Sequence, residues 1–252
     1  MINKSQLKEL KKLTQKKFRN SSNQVLVEGK RIIEQIITNG SFPELLFIDE
    51  EKKETKSLIE KSKRDIIEYV PHHVISQLTE TKSPQEIVAV FRKPKLKMPE
   101  EGNFLYLDNL RDPGNMGTIF RTAAAFNIQG IYISPDSCEI LSPKVIRASL
   151  GAVFSVPFEI SEFATLSIPE CDIFSTELEG EALGGIKDFN KNMIIIIGNE
   201  AEGISPANRE LATRKITIPV ASQMESLNAS VASGITIYNL LWEKYGNSFL
   251  NR

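Results

Sequence analysis

Residues 216–241 read ITIPVASQMESLNASVASGITIYNLL. The stretch opens as a β-branched run, Ile216, Thr217 and Ile218, which Pro219 ends because proline has no amide hydrogen to give to a ladder. A polar loop over residues 221–225 follows. Ser226, Asn228 and Ser230 then lead into a helix on which Leu227, Val231, Ile235, Tyr238 and Leu241 recur near helical spacing. Strand, tight loop and helix N-terminus in succession bring backbone amides and small polar side chains onto one spot, where a ligand can be held. Taken by itself, the stretch is equally an ordinary helix cap, since serine and asparagine are favoured there.

Two further loops change that balance. Residues 193–197 are a methionine and four isoleucines, the mark of a strand buried on both faces of a parallel sheet. Gly198-Asn199-Glu200-Ala201-Glu202-Gly203 follows it, a carboxylate between glycines that lets the backbone approach a ligand closely. Upstream, a strand over 104–107 runs into the loop 108–115 and a helix over 116–126. Asn115 is placed to cap that helix, and Arg121 falls on its second turn, where the macrodipole disfavours a cation. That favours a functional reason for it somewhat more than for a typical surface arginine. Strands over 131–133, 156–160 and 172–175 and a short helix over 144–150 complete the set. In an open parallel sheet ligands bind outside the carboxyl ends of the strands, so the loops 112–117, 198–203 and 221–225 are expected to meet there. Neither a Walker loop nor a dinucleotide fingerprint is present, which disfavours a nucleotide-binding oxidoreductase.

The first third of the chain alternates strands and helices in the same way. A helix over 5–17 precedes a strand at 24–27, a helix at 28–38 and a strand at 45–48. A charged helix around 53–61, a strand at 66–70, a short helix after Pro71 and a strand at 86–91 follow. This predicts a small α/β unit of about 90 residues. RKPKLKMPEEG, residues 92–102, breaks the pattern with two prolines, a glycine and a charge run. The expected division is therefore residues 1–91, a linker over 92–102, and residues 103–252.

Of the 252 residues 41% are hydrophobic and 25% charged, the balance of a globular protein able to bury a core. No apolar run approaches the roughly 20 residues of a membrane helix. The first residues lack the apolar stretch of a secretory peptide, so a cytoplasmic location is the default expectation. Cys138 and Cys171 suggest neither a disulfide framework nor a metal site. His72 and His73 lie far from the three loops and read as structural. The net charge of −1 hides 20 basic against 15 acidic residues over 1–101, and 11 against 17 beyond. Lys4, Lys8, Lys11, Lys12, Lys16, Lys17 and Arg19 face only Glu9. Such a segment fits a phosphate-rich partner, or is simply a solvated helix face.

NLRDPGNMGTIFRTAAA (109–125), IIIIGNEAEGIS (194–205) and IPVASQMESLNASVA (218–232), in this order, resemble the motifs of the SpoU (TrmH-like) RNA ribose methyltransferases of the SPOUT class. Residues 1–91 are similar to the small α/β substrate-binding domain that many members carry. The resemblance implies S-adenosyl-L-methionine as donor, an RNA 2′-hydroxyl as acceptor with ribosomal RNA preferred over transfer RNA, and a C-terminal parallel-sheet α/β domain with a trefoil knot. It implies no metal. Arg121 matches the motif arginine of the family, with Asn115, Glu200, Ser226 and Asn228 orienting it and the ribose; Gly198, Ile218 and Leu227 match cofactor contacts. Ser222, Val220 and Ala229 depart from the family's usual glycine, methionine and valine. The family also pairs through its C-terminal helix, and the apolar breadth of residues 228–242 suits a homodimer. The competing reading, a non-catalytic RNA-binding or ribosome assembly factor on the same fold, is disfavoured by the retained polar set.

Overall fold

A computed structural model describes residues 2–51, 64–81, 83–188, 190–221 and 226–246. Along the chain come α1 (Lys4–Lys12), α2 (Lys16–Ser21), β1 (Gln24–Glu28), α3 (Lys30–Thr38), β2 (Leu45–Asp49), β3 (Ile67–Val70), α4 (His72–Gln77) and β4 (Ile87–Arg92). Then follow β5 (Asn103–Leu107), α5 (Pro113–Ala125), β6 (Gly130–Ile133), α6 (Pro143–Ala148) and β7 (Phe158–Ile160). The last are β8 (Cys171–Ala182), β9 (Asn192–Ile197), α7 (Pro206–Glu210), β10 (Arg214–Thr217) and α8 (Ala229–Tyr245). The charged helix expected around 53–61 lies outside the described residues. No helix among those described is long and apolar enough to cross a membrane.

The chain divides into two compact units. The first comprises Met1–Lys95 together with Glu139–Ser155. Its sheet has the order β1-β4-β2-β3, with β4 antiparallel to both neighbours and β2 parallel to β3. Ile33, Ile36 and Ile37 of α3 are buried, the spacing of an amphipathic helix with one covered face. One helix was expected over 5–17, but two form. The guanidinium of Arg19 donates to the carbonyls of Leu13, at 3.0 Å, and of Thr14. That caps α1 where it stops and starts the chain afresh at Lys16. Arg19 also grips Glu139 through two bonds of 2.7 and 2.8 Å and is buried, so it is no part of an exposed basic face. Around α6, Phe154 lies 5.4 Å from Phe91, and a Cβ on Gly151 (φ +81°) would come within 2.5 Å of Ile36.

The second unit comprises Leu96–Cys138 and Val156–Arg252. Its six strands are all parallel, in the order β10-β8-β9-β5-β6-β7. Every residue of β5, β6 and β9 is buried, as the isoleucine run required. The strand order reverses between β5 and β9, so the crevice of this sheet opens beyond Leu107 and Ile197. β8 continues past its neighbour. Lys215 pairs with Ser175 but Ile216 with Glu181, so residues 176–180 bulge at the carboxyl edge. α8 packs back against α5, with Gly234 set over Thr122: a Cβ there would sit 3.9 Å from its methyl group.

Candidate active site

The carboxyl ends of β5, β9 and β10 build the site. After β5 the chain turns through Asn109, whose φ of 55° is left-handed. Its amide donates to Ser134 Oγ at 2.7 Å, and the next amide, of Leu110, to Ser137 Oγ at 3.1 Å. α5 then starts three residues earlier than the sequence reading had it. Pro113 occupies the first position, where its missing amide costs nothing, and Asp112 accepts from the amide of Asn115 at 2.8 Å. Asp112, not Asn115, is the cap, because a side chain caps the amide three residues ahead of it. Asn115 is thereby left inside the first turn, buried, with its amide group free for other work.

After β9, Asn199 and Gly203 pair backbone to backbone at 2.9 and 3.0 Å and close a tight loop. Gly203 adopts φ +71°, and a Cβ on Gly198 would lie 2.3 Å from the Gly203 carbonyl carbon, so only glycine allows this closure. After β10, Ile218 and, at the entry to α8, Leu227 are each half-buried. Residues 222–225, including Ser222 and most of the polar loop between them, lie outside the described residues. Asn228 caps α8, its Oδ1 accepting from the amides of Ser230 at 2.9 Å and Val231 at 3.3 Å.

Three predicted residues are joined directly. Asn115 Nδ2 donates to Glu200 Oε1 at 2.8 Å, and Asn228 Nδ2 donates to Asn115 Oδ1 at 2.9 Å. The Asp112 amide adds a longer bond, 3.4 Å, to the same Glu200 oxygen. The Asn115 carboxamide suits the middle position, giving a hydrogen to the carboxylate while accepting one from its other neighbour. Bonds from an amide to a carboxylate are of the stronger kind. Loops following three different strands are thus locked by one polar chain.

Arg121 and Ser226 stand apart from it. Arg121 is exposed and, among the described residues, its guanidinium has no hydrogen bond or ion pair. Because α5 begins at Pro113, Arg121 is its ninth residue, beyond the first turn where the macrodipole acts, and the electrostatic reason offered for it falls away. Ser226 is exposed at the near edge of α8 and likewise has no partner among the described residues. Two positions were missed from the sequence. Buried Asp108, at the end of β5, accepts from the Ser205 amide at 2.7 Å. Asn199 uses its side chain in both directions, to Asn109 O at 2.7 Å and from the amides of Ala201 and Glu202. An asparagine four residues before a left-handed glycine was the available signal, since it favours exactly such side-chain-closed turns by its reach to nearby amides. Beneath the site, burial and the neighbouring Asp108 charge push the Tyr106 hydroxyl up to about 12, so it stays neutral. No group of three metal-ligating side chains occurs among the described residues.

An open parallel α/β sheet whose carboxyl-edge loops are joined by one polar chain has the form of a ligand-binding α/β domain. The model of the SpoU rRNA methylase family matches residues 102–238, and that of an MRM3-like substrate-binding domain matches residues 4–89. The chain belongs to the SpoU rRNA methylase family. It is 29% identical over 259 residues to an uncharacterized tRNA/rRNA methyltransferase of Synechocystis sp., covering 96% of this chain and 92% of the relative. It is also 29% identical over 239 residues to the 23S rRNA (guanosine(2553)-2′-O)-methyltransferase RlmP of Bacillus subtilis, with 93% and 95% covered. An AdoMet-bound rRNA methyltransferase structure from Sinorhizobium meliloti superposes with a TM-score of 0.81 at 25% identity, covering 95% of each chain.

Proposed function

We propose that this chain transfers a methyl group from S-adenosyl-L-methionine to a ribose 2′-hydroxyl of ribosomal RNA. The observation that carries this reading is the Glu200–Asn115–Asn228 chain, which unites the three motifs at the carboxyl edge. Relatives named for 23S rRNA 2′-O-methylation and for bound AdoMet support the substrate and the donor. S-adenosylmethionine, when bound, supplies the electrophilic methyl group. Half-buried Ile218 and Leu227 and the side-chain-free backbone at Gly198 suit its adenosine, which needs apolar walls and few side-chain bonds.

The residues of this chain have positioning as their first task, because transfer needs the ribose oxygen held in line with the methyl group. The locked chain holds Glu200 and Asn228 at fixed places beside the ribose. A guanidinium has no acceptor for the 2′-hydroxyl proton in its ordinary form, which favours a binding and stabilising role for Arg121 over that of a base. Its unengaged guanidinium binds phosphate or ribose and stabilises the developing alkoxide. In the first unit, Lys4, Lys8, Lys11, Lys16 and Lys17 are exposed and serve RNA phosphates. Lys12, paired with Glu9 at 2.7 Å, contributes less.

Val231, Ile235 and Tyr238, 41–50% exposed, form one stripe along α8, and Tyr238 stacks on Trp242 and meets Phe126 edge-on. This patch supports a homodimer through α8; light scattering giving only the 28.3 kDa monomer mass at micromolar concentration would exclude it. The C-terminal knot belongs to the same proposal, supported by the return of α8 from edge strand β10 onto α5. A cytoplasmic location is likewise part of it. Primer-extension mapping of ribosomal RNA from a deletion strain tests the function: one 2′-O-methyl mark is lost and returns with the gene. An unchanged methylation map counts against it.

A further inference from the structure

We infer that Asn199 is the positioning residue that holds Glu200 against Asn115, acting in methyl transfer without touching either reactant; this rests on the methyltransferase reading above. Glu200 sits in a five-residue loop whose ends are the Asn199–Gly203 backbone pair. The Asn199 side chain fills the inside of that loop. Its Oδ1 accepts from the amides of Ala201 at 2.8 Å and Glu202 at 3.0 Å, the two residues that follow Glu200. Its Nδ2 donates outward to the carbonyl of Asn109 at 2.7 Å. Asn109 is the left-handed residue that aims the chain toward Asp112 and Asn115. One carboxamide therefore sets the shape of the loop bearing Glu200 and fixes that loop to the one bearing Asn115. The 2.8 Å contact between those two side chains is the outcome.

Side-chain chemistry restricts the position. Aspartate keeps the acceptor for the two amides but has no hydrogen to give Asn109, and would set a carboxylate against that carbonyl. Alanine loses both contacts. Neither change frees the far end of the loop, because Asp108 Oδ2 still holds the Ser205 amide at 2.7 Å. The consequence is local: Glu200 shifts relative to Asn115, and displacements of about 1 Å at a site can cost on the order of 100-fold in rate.

The test is a double-mutant cycle on the full-length protein, with kcat and KM measured for Asn199→Ala, Asn199→Asp, Glu200→Gln and the Asn199→Ala/Glu200→Gln pair. Both single Asn199 variants should lose about 10- to 100-fold in kcat with KM changed less than about 3-fold. In the Glu200→Gln background, Asn199→Ala should cost less than about 3-fold more, since its route to the reaction is already cut. If Asn199→Ala does not fold, Asn199→Asp carries the test, because its loop-closing acceptor is kept. Near-wild-type kcat in Asn199→Asp, or the same loss from Asn199→Ala with and without Glu200, overturns the inference. The side-chain amide NMR resonance of Asn115 provides a readout free of activity. It should move in the Asn199 variants as it does in Glu200→Gln, and an unmoved resonance refutes the positioning role. Absence of any transfer by the wild-type protein would instead count against the methyltransferase reading.

Discussion

Asn228 does two jobs with one side chain, and an isostere separates them. Its Oδ1 caps α8 and its Nδ2 donates to buried Asn115. Asn228→Ala removes both. Loss of the cap costs about 1 kcal/mol, and the buried Asn115 oxygen left without a donor about 1–3 kcal/mol. The sum, about 2–4 kcal/mol, corresponds to a Tm drop of roughly 5–15 °C for a protein of this size. Asn228→Asp keeps the cap, since aspartate and asparagine cap about equally. A carboxylate at a helix N-terminus even adds about 0.3–1 kcal/mol. It cannot donate to Asn115, however. If the Asn115 carboxamide turns over to face Asp, it presents its oxygen to Glu200 instead, so one carboxylate always meets an amide oxygen. Asn228→Asp should therefore lose less Tm than Asn228→Ala, up to about 10 °C from the unpaired Asn115 oxygen, and lose at least about 10-fold in methyl transfer. Differential scanning fluorimetry and tritiated methyl transfer to RNA, run on both variants, give the two numbers. Wild-type activity in Asn228→Asp would refute the claim that the polar chain matters to function.

Arg121→Ala removes a guanidinium without a partner among the described residues, so Tm should hold while methyl transfer falls about 100-fold or more. Activity within a few-fold of wild type, measured by the same assay, removes Arg121 from the mechanism. The Cys171 thiol is pushed up to about 11 by burial and, secondarily, by Asp172. A group raised in the folded state favours folding below its ordinary value of about 9, and that contribution fades as pH rises from about 9 through 11. Denaturant titrations across that window should show a shallower decline of stability in Cys171→Ser than in wild type, and equal slopes would contradict the burial argument.

Where a feature depended on chain pattern alone, it could be read directly. Four isoleucines in a row can only be covered on both faces, and they form β9, at the centre of the parallel sheet. Asn228 before an apolar helical repeat is the cap it resembles. Features that depended on a distant partner could not. α1 ends where it does because Arg19 folds back on it and is itself held by Glu139, 120 positions away. The cap of α5 was misassigned because Asp112 and Asn115 are both good capping types. What decides between them is that Glu200, from another loop, engages the Asn115 side-chain carboxamide, while the Asn115 backbone amide goes to Asp112. β8 extends to Ala182 through a register shift that no alternation of side chains announces. Motif matching put Asn115, Glu200 and Asn228 on one list, and only the fold shows their order, carboxylate to amide to amide.

The most direct test of the central claim is transfer itself. Purified protein is incubated with ribosomal RNA and methyl-tritiated S-adenosylmethionine, and the RNA is digested to nucleosides and resolved by mass. The account predicts label in a single 2′-O-methylated nucleoside, with Glu200→Gln reduced by at least about 10-fold. Label on a base, or none on ribose with folded protein that binds the cofactor, would contradict it.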